Sequence, residues 1–130
     1  MSFVKAKYKT GIYIGKIIQV EEEQNRALFQ VFAVENHPKQ GDLHNPKQVD
    51  VPYFHQRKAL SYLEKTWVPY TTVKPYEYDD VPDYKESLER AWRSSYKALL
   101  EDDSEWAKKS VPLLEELKME YHLNDVHDKS

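Results

Sequence analysis

The apolar residues of this chain change period once, at Asp83, and that change limits the folds open to it. Ahead of it they fall in short runs rich in β-branched and aromatic side chains, which suit the pleated, half-buried surface of a sheet. Behind it they recur at helical spacing, which suits an α-helix with one buried stripe. At 130 residues the chain has the length of one domain. It therefore reads as a small β unit followed by helices, with any special loop lying in the β unit.

The strands are the first to be placed. Gly11 to Val20 is a strand with Gly11 at its start and Gly15 within it, where glycine permits a bend or a close backbone approach. A polar break over 21–26 precedes a second strand, Ala27 to Val34. Its Phe29, Val31 and Ala33 share one face, and Leu28, Phe32 and Val34 share the other with Gln30. Two apolar faces imply cover on both sides, and the later helices are the natural lid. Val49 to Phe54 alternates as a strand that should either lie at an edge or end at Pro52, and Ala59 to Leu63 reads as a further short strand or a helical turn, with the strand favoured. The pattern Gly11-x-Tyr13-x-Gly15-Lys16-Ile17 resembles the bent strand of small SH3-like barrels, which close about five strands over a small core.

Residues 66–82 carry Pro69, Pro75 and Pro82 among Tyr70, Tyr76 and Tyr78, and read as an ordered connector laid over the core by its rings. Asp83 then offers an N-cap, with Glu86 three residues on as in a capping box. Tyr84, Leu88, Ala91, Trp92, Ser95 and Leu99 form the buried stripe of a first helix. After a turn at 101–104, Asp103 or Ser104 caps a second helix with the stripe Trp106, Ser110, Leu113, Leu114, Leu117 and Tyr121. Pro112 either kinks that helix or stands in the first turn of a second start capped by Ser110. The short connection predicts an antiparallel αα-hairpin. The expected fold is thus mainly β plus α. A small SH3-like β-barrel of about five strands spans 1–65, the connector 66–82, the helical hairpin packed on the barrel 83–123, and a frayed tail 124–130.

Several functions are excluded by what the chain contains. It has no cysteine, which removes disulfides, thiolate metal sites, cysteine nucleophiles and cysteine lipidation. With three glycines it has no phosphate-cradling glycine loop, and it has no Gly-x-Ser-x-Gly nucleophile elbow. No run approaches membrane-spanning length and the N-terminus lacks a signal-type apolar core, so a cytoplasmic protein is expected. Charge is uneven, +3 over residues 1–72 and −6 over 73–130. Neither value approaches the basic excess usual for a nucleic-acid binder.

What remains is the stretch from His37 to Lys58, which holds three of the five histidines and three of the seven prolines. His37, His44 and His55 with Asp42 could make a metal site of imidazoles and a carboxylate, but their spacings match no motif with a mechanism. They read more simply as loop residues making side-chain hydrogen bonds. No catalytic residue, cofactor or metal is assigned. Paired carboxylates at Asp79-Asp80 and Asp102-Asp103 fall in turns, where capping and solvation explain them.

The same stretch carries a family resemblance. Gly11-Ile12-Tyr13-Ile14-Gly15, His37-Pro38-Lys39-Gln40-Gly41-Asp42-Leu43-His44-Asn45-Pro46-Lys47-Gln48 and Val51-Pro52-Tyr53-Phe54-His55-Gln56-Arg57-Lys58-Ala59-Leu60 resemble the kinase-associated protein B family. Asp83-Tyr84-x-x-Ser87-Leu88 and Glu101-Asp102-Asp103-Ser104 fit it as well. The resemblance implies a small protein of spore-forming bacilli, tied to a membrane sensor histidine kinase that feeds the sporulation phosphorelay. It implies an SH3-like barrel with a helical appendage and support of the kinase, not catalysis. The family is often described as a lipoprotein, and this chain departs from that description in having no cysteine to carry a thioether-linked lipid. Membrane association is therefore expected only through a partner.

Two functions of different classes follow. The first is an accessory module of a kinase signalling system, with His37, Asp42, Leu43, His44, Asn45, Tyr53, Phe54, His55 and Arg57 as the candidate contact surface. The second is a nucleic-acid-binding module using Lys5, Lys7, Lys9, Lys16, Arg57 and Lys58 beside Tyr8, Tyr13, Tyr53 and Phe54. It requires those cations and rings on one face.

Overall fold

The computed structural model describes residues 3–41, 54–78 and 80–123. Five strands, β1 (Val4–Tyr8), β2 (Gly11–Glu21), β3 (Arg26–Asn36), β4 (Lys65–Pro69) and β5 (Lys74–Pro75), are followed by two helices, α1 (Tyr84–Leu100) and α2 (Glu105–Tyr121). The strands make one antiparallel sheet in the order β4-β3-β2-β1-β5. Three register shifts along the β2–β3 pair, between Ile12 and Tyr13, Ile14 and Gly15, and Ile17 and Gln19, bend this sheet. Five antiparallel strands and a C-terminal helical pair are the mixed fold that the sequence predicts. Among the described residues the two outer strands, β4 and β5, are not paired to each other, so the curled sheet stays open instead of closing as a hydrogen-bonded barrel.

β3 is the centre of the fold. Ala27, Phe29, Val31 and Ala33 are fully buried, and α1 lies on this strand through Leu88 and Ala91. Phe32 is only partly covered, and by single rings: Phe3 and Tyr62 meet it edge to face, at 5.3 and 6.1 Å between centroids. A second core forms between the helices from Trp92, Leu99, Trp106, Ala107, Leu114 and Leu117. Trp92 Nε1–H donates to Leu114 O at 2.8 Å and Tyr96 Oη–H to Glu115 at 2.6 Å, which ties the two helices together.

The helix starts follow the sequence reading. Asp83 accepts from Glu86 N–H at 3.2 Å, and Ser104 accepts from Ala107 N–H at 3.1 Å. α2 runs unbroken through Pro112, so there is no second start, and Ser110 Oγ–H donates back to Trp106 O at 2.7 Å instead of capping one. α2 closes with His122 in the left-handed region, φ 59°. Ser87 ties α1 to the sheet: its Oγ accepts from Val34 N–H at 2.9 Å and donates to Tyr84 O at 2.7 Å. Because Ser87 is buried, Ser87→Ala orphans the Val34 N–H and is expected to cost about 1–2 kcal/mol. Equilibrium urea unfolding reads this directly, and an unshifted midpoint would show that the bond contributes nothing.

Two expectations change. Ala59–Leu63 is not a strand, because its polar backbone is satisfied by side chains from three elements. Ala59 N–H donates to Tyr121 Oη at 2.9 Å, Leu60 N–H to Tyr13 Oη at 3.3 Å, and Leu60 O accepts from Tyr84 Oη–H. Leu63 then turns with φ 66° and its N–H reaches Val31 O at 2.7 Å. The fourth and fifth strands come from 65–69 and 74–75, and all their residues but Lys65 fall in the stretch read as an ordered connector. The expected strand from Val49 falls outside the described residues except for Phe54, which lies in irregular chain.

Candidate functional site

The two ends of the central stretch meet. Gly41 N–H donates to His55 O at 2.8 Å, so the chain leaves this point at residue 41 and returns to it. Gln40, buried, locks the junction: its Nε2 donates to Pro38 O at 3.1 Å and to Arg57 O at 3.0 Å, while its Oε1 accepts from Arg57 N–H at 2.8 Å. Arg57 Nε–H adds a bond to Gly41 O at 2.9 Å. α2 holds the junction from outside, since Trp106 Nε1–H donates to Gln40 O at 3.0 Å and Gln56 Nε2 donates to Leu113 O and Glu116 Oε1, both at 3.0 Å. Gly41 takes φ 107°, a conformation that L side chains rarely adopt, and the Phe54 ring lies 3.2 Å from where a Cβ would stand.

His37 stands behind this clamp, 3 % exposed. Its Nδ1 lies 2.9 Å from Pro38 O and its Nε2 2.8 Å from Tyr121 Oη. A carbonyl can only accept, so Nδ1 carries the proton and Nε2 accepts from the phenol, whose oxygen accepts in turn from Ala59 N–H. Burial pulls the imidazole from 6.5 down to about 4, against a smaller upward push from the Pro38 carbonyl. Burial likewise pushes Tyr13 up to about 12 and raises Tyr121 and Tyr84, so all these groups are neutral near pH 7.

Of the candidate contact residues, the structure brings His37, Phe54, His55 and Arg57 together at the clamp. Phe54 is half-buried, with the Lys109 ammonium 4.9 Å from its ring centre. His55 is exposed and engaged through its carbonyl. Asp42, Leu43, His44, Asn45 and Tyr53 lie outside the described residues. So do two members of the considered metal set, Asp42 and His44. Both ring nitrogens of His37 are already bonded, and among the described residues no group of three or more His, Asp or Glu is placed to hold a metal. Tyr121 is read from the sequence only as part of a buried helical stripe and Gln40 only as part of the central block; their roles in the clamp carry no local signal, since the His37–Tyr121 bond spans 84 residues.

The cations considered for nucleic acid are divided between surfaces. Lys5 pairs with Glu35 at 2.9 Å, and Lys16 sits over Phe3 and Phe32 at 4.9 and 5.3 Å. Tyr13 is 1 % exposed and offers no ring face for a base. Lys9, Arg57 and Lys58 do converge, around a groove of about 290 Å3 beside the clamp.

The fold and the site define a small α+β protein in which a bent antiparallel sheet lies under a helical hairpin, with residues 37–41 and 54–57 clamped together. Comparison with known proteins identifies its kind. The family model described as "Kinase associated protein B" matches residues 8–122. The kinase-associated lipoprotein B of Bacillus subtilis (strain 168) is 52% identical over 120 residues, covering 92% of this chain and 91% of the relative. A crystal structure of kinase-associated protein B from Bacillus cereus superposes with a TM-score of 0.77 at 34% identity, over 94% of this chain and 95% of that one. The chain belongs to the kinase-associated protein B family. The family's description names an association with a kinase and no catalysed reaction. Among the described residues no helix is long and apolar enough to cross a membrane.

Proposed function

We propose that the chain is a non-enzymatic accessory protein of a sensor histidine kinase pathway, of the kind that feeds a sporulation phosphorelay. It acts through protein–protein contacts made by the block from His37 to Lys58. The kinase association in the names of its relatives supports this reading. The observation that carries it is the clamp. Gln40, Arg57, Trp106 and His37 direct their polar groups at one another, at neighbouring backbone and at Tyr121. Side chains so engaged hold residues 37–41 and 54–57 together; they are not available to move protons or attack a substrate. The protein works in the cytoplasm and meets the membrane through its partner.

The test is capture of the full chain by the immobilised cytoplasmic part of the sensor kinase. Capture by the parent chain is expected, with Leu43→Ala and His44→Ala reducing recovery. Recovery no greater than on an unrelated kinase domain would reject the accessory role. Recovery unchanged by both substitutions would move the contact off this loop.

A further inference from the structure

The groove beside the clamp is the feature whose chemistry goes furthest. Its floor is Tyr13, Pro38 and Leu60, all buried, and its rim is Lys9, Arg57 and Lys58. Its two walls are fixed to each other: the β1–β2 turn is held to the segment after β3 by Lys39 N–H donating to Thr10 Oγ1 at 2.8 Å. Among the described residues no carboxylate lines it, although the chain as a whole is acidic, with 22 Asp and Glu against 19 Lys and Arg.

Each rim cation has charge left to offer. Arg57 uses Nε on Gly41 O, and no carboxylate among the described residues pairs with its guanidinium, so the outer nitrogens remain for a two-toothed contact with a carboxylate. The Lys9 ammonium rests 5.3 Å from the Tyr8 ring centre. Lys58 pairs with Glu120 at 3.1 Å, but both side chains are more than half exposed, and a pair of that kind is held weakly enough to exchange. The floor is apolar apart from the Tyr13 hydroxyl. Its oxygen accepts from Leu60 N–H. Among the described residues lining the groove no open ring face exists for a nucleobase, because Tyr13 is buried and Tyr8 carries the lysine.

We propose that this groove binds an acidic segment of the protein partner, an apolar residue flanked by aspartate or glutamate. The apolar residue meets Pro38 and Leu60 while the carboxylates meet Arg57, Lys9 and Lys58. The proposal rests on the accessory reading for the partner's identity, and on the groove alone for its chemistry.

The test uses the full chain and two fluorescein-labelled peptides, Glu-Glu-Phe-Glu-Glu and Lys-Lys-Phe-Lys-Lys, followed by anisotropy at low salt. The variant is Lys9→Asn combined with Lys58→Gln. Asparagine tolerates the φ of 55° at position 9, so the turn should survive, and an unchanged melting temperature verifies this. Lys74→Gln with Lys85→Gln makes the same charge change outside the groove. The acidic peptide should bind and the basic one should not, and the groove variant should weaken binding about tenfold while the control stays within about twofold. Kinase capture should fall in parallel. If the groove variant binds peptide and kinase as the parent does, the proposal is overturned and the accessory role stands. If the parent captures no kinase, the accessory role fails and the peptide alone decides: affinity lost in the groove variant keeps the acidic-segment site, and affinity retained rejects it. Inorganic phosphate or a short RNA displacing the peptide at equal concentration would also overturn it, in favour of a general anion site.

Discussion

Gly15→Ala is expected to destabilise the fold by about 3 kcal/mol or more, because the added methyl has no space that a side-chain movement could open. A Cβ at this position would stand 1.9 Å from Gln30 O, 2.9 Å from Gln30 C and 2.8 Å from Phe29 Cζ. Two of those three atoms are backbone of β3, the strand on which both α1 and β4 depend. The third belongs to a fully buried ring. Relief therefore demands that β2 and β3 separate at the register shift beside Gly15, where the ladder is already irregular. Urea unfolding and a thermal melt check it, with an expected fall in Tm of about 10 °C or more for a domain of this size. A midpoint within error of the parent would mean that the strands can part without cost. Gly11 differs in kind, because a Cβ there meets first the Tyr13 hydroxyl, at 2.6 Å, the far end of a side chain.

This contrast shows what was legible in the sequence and what was not. That Gly15 marks a bend or close approach follows from a glycine inside a β-branched run; which backbone it approaches does not. The helices were legible because period and caps are local signals, and Asp83 and Ser104 sit where those signals place them. β4 was not legible. Lys65-Thr66-Trp67-Val68-Pro69 carries little alternation, and its place is set by pairing with Arg26–Gln30, about forty residues away. The converse error at Ala59–Leu63 has one cause: apolar residues there do pack in the core, but three tyrosine hydroxyls from β2, α1 and α2 replace the ladder a strand would need. The clamp was half legible. His37 and Arg57 belonged to a block already marked by its histidines and prolines. Gln40 is an ordinary polar residue whose partners Trp106 and Arg57 arrive from elsewhere in the chain.

His37 should make the fold sensitive to acid in a window that can be named. In the folded chain its Nε2 must accept from Tyr121, and no carboxylate among the described residues contributes to holding the charged form; burial dominates. The folded value, about 4, lies below the ordinary 6.5, so between those limits the unfolded state binds the extra proton. Stability is then full above about 6.5 and is lost as pH falls toward 4, by about 3 kcal/mol in all if the unfolded value is ordinary. The structural event is definite. A proton on Nε2 turns that atom from acceptor to donor, the Tyr121 hydroxyl proton loses its acceptor, and the phenol that anchors both Ala59 and the end of α2 must reorient. His37→Gln should lower stability near neutral pH, because the ring's packing is lost, and should flatten the acid limb. Carboxylates titrating in the same range affect parent and variant alike, so the difference between their urea midpoints across the window isolates this one imidazole. Equal slopes for the two proteins would show that His37 is protonated in the folded state at no cost, and would remove it as the support linking sheet, clamp and α2.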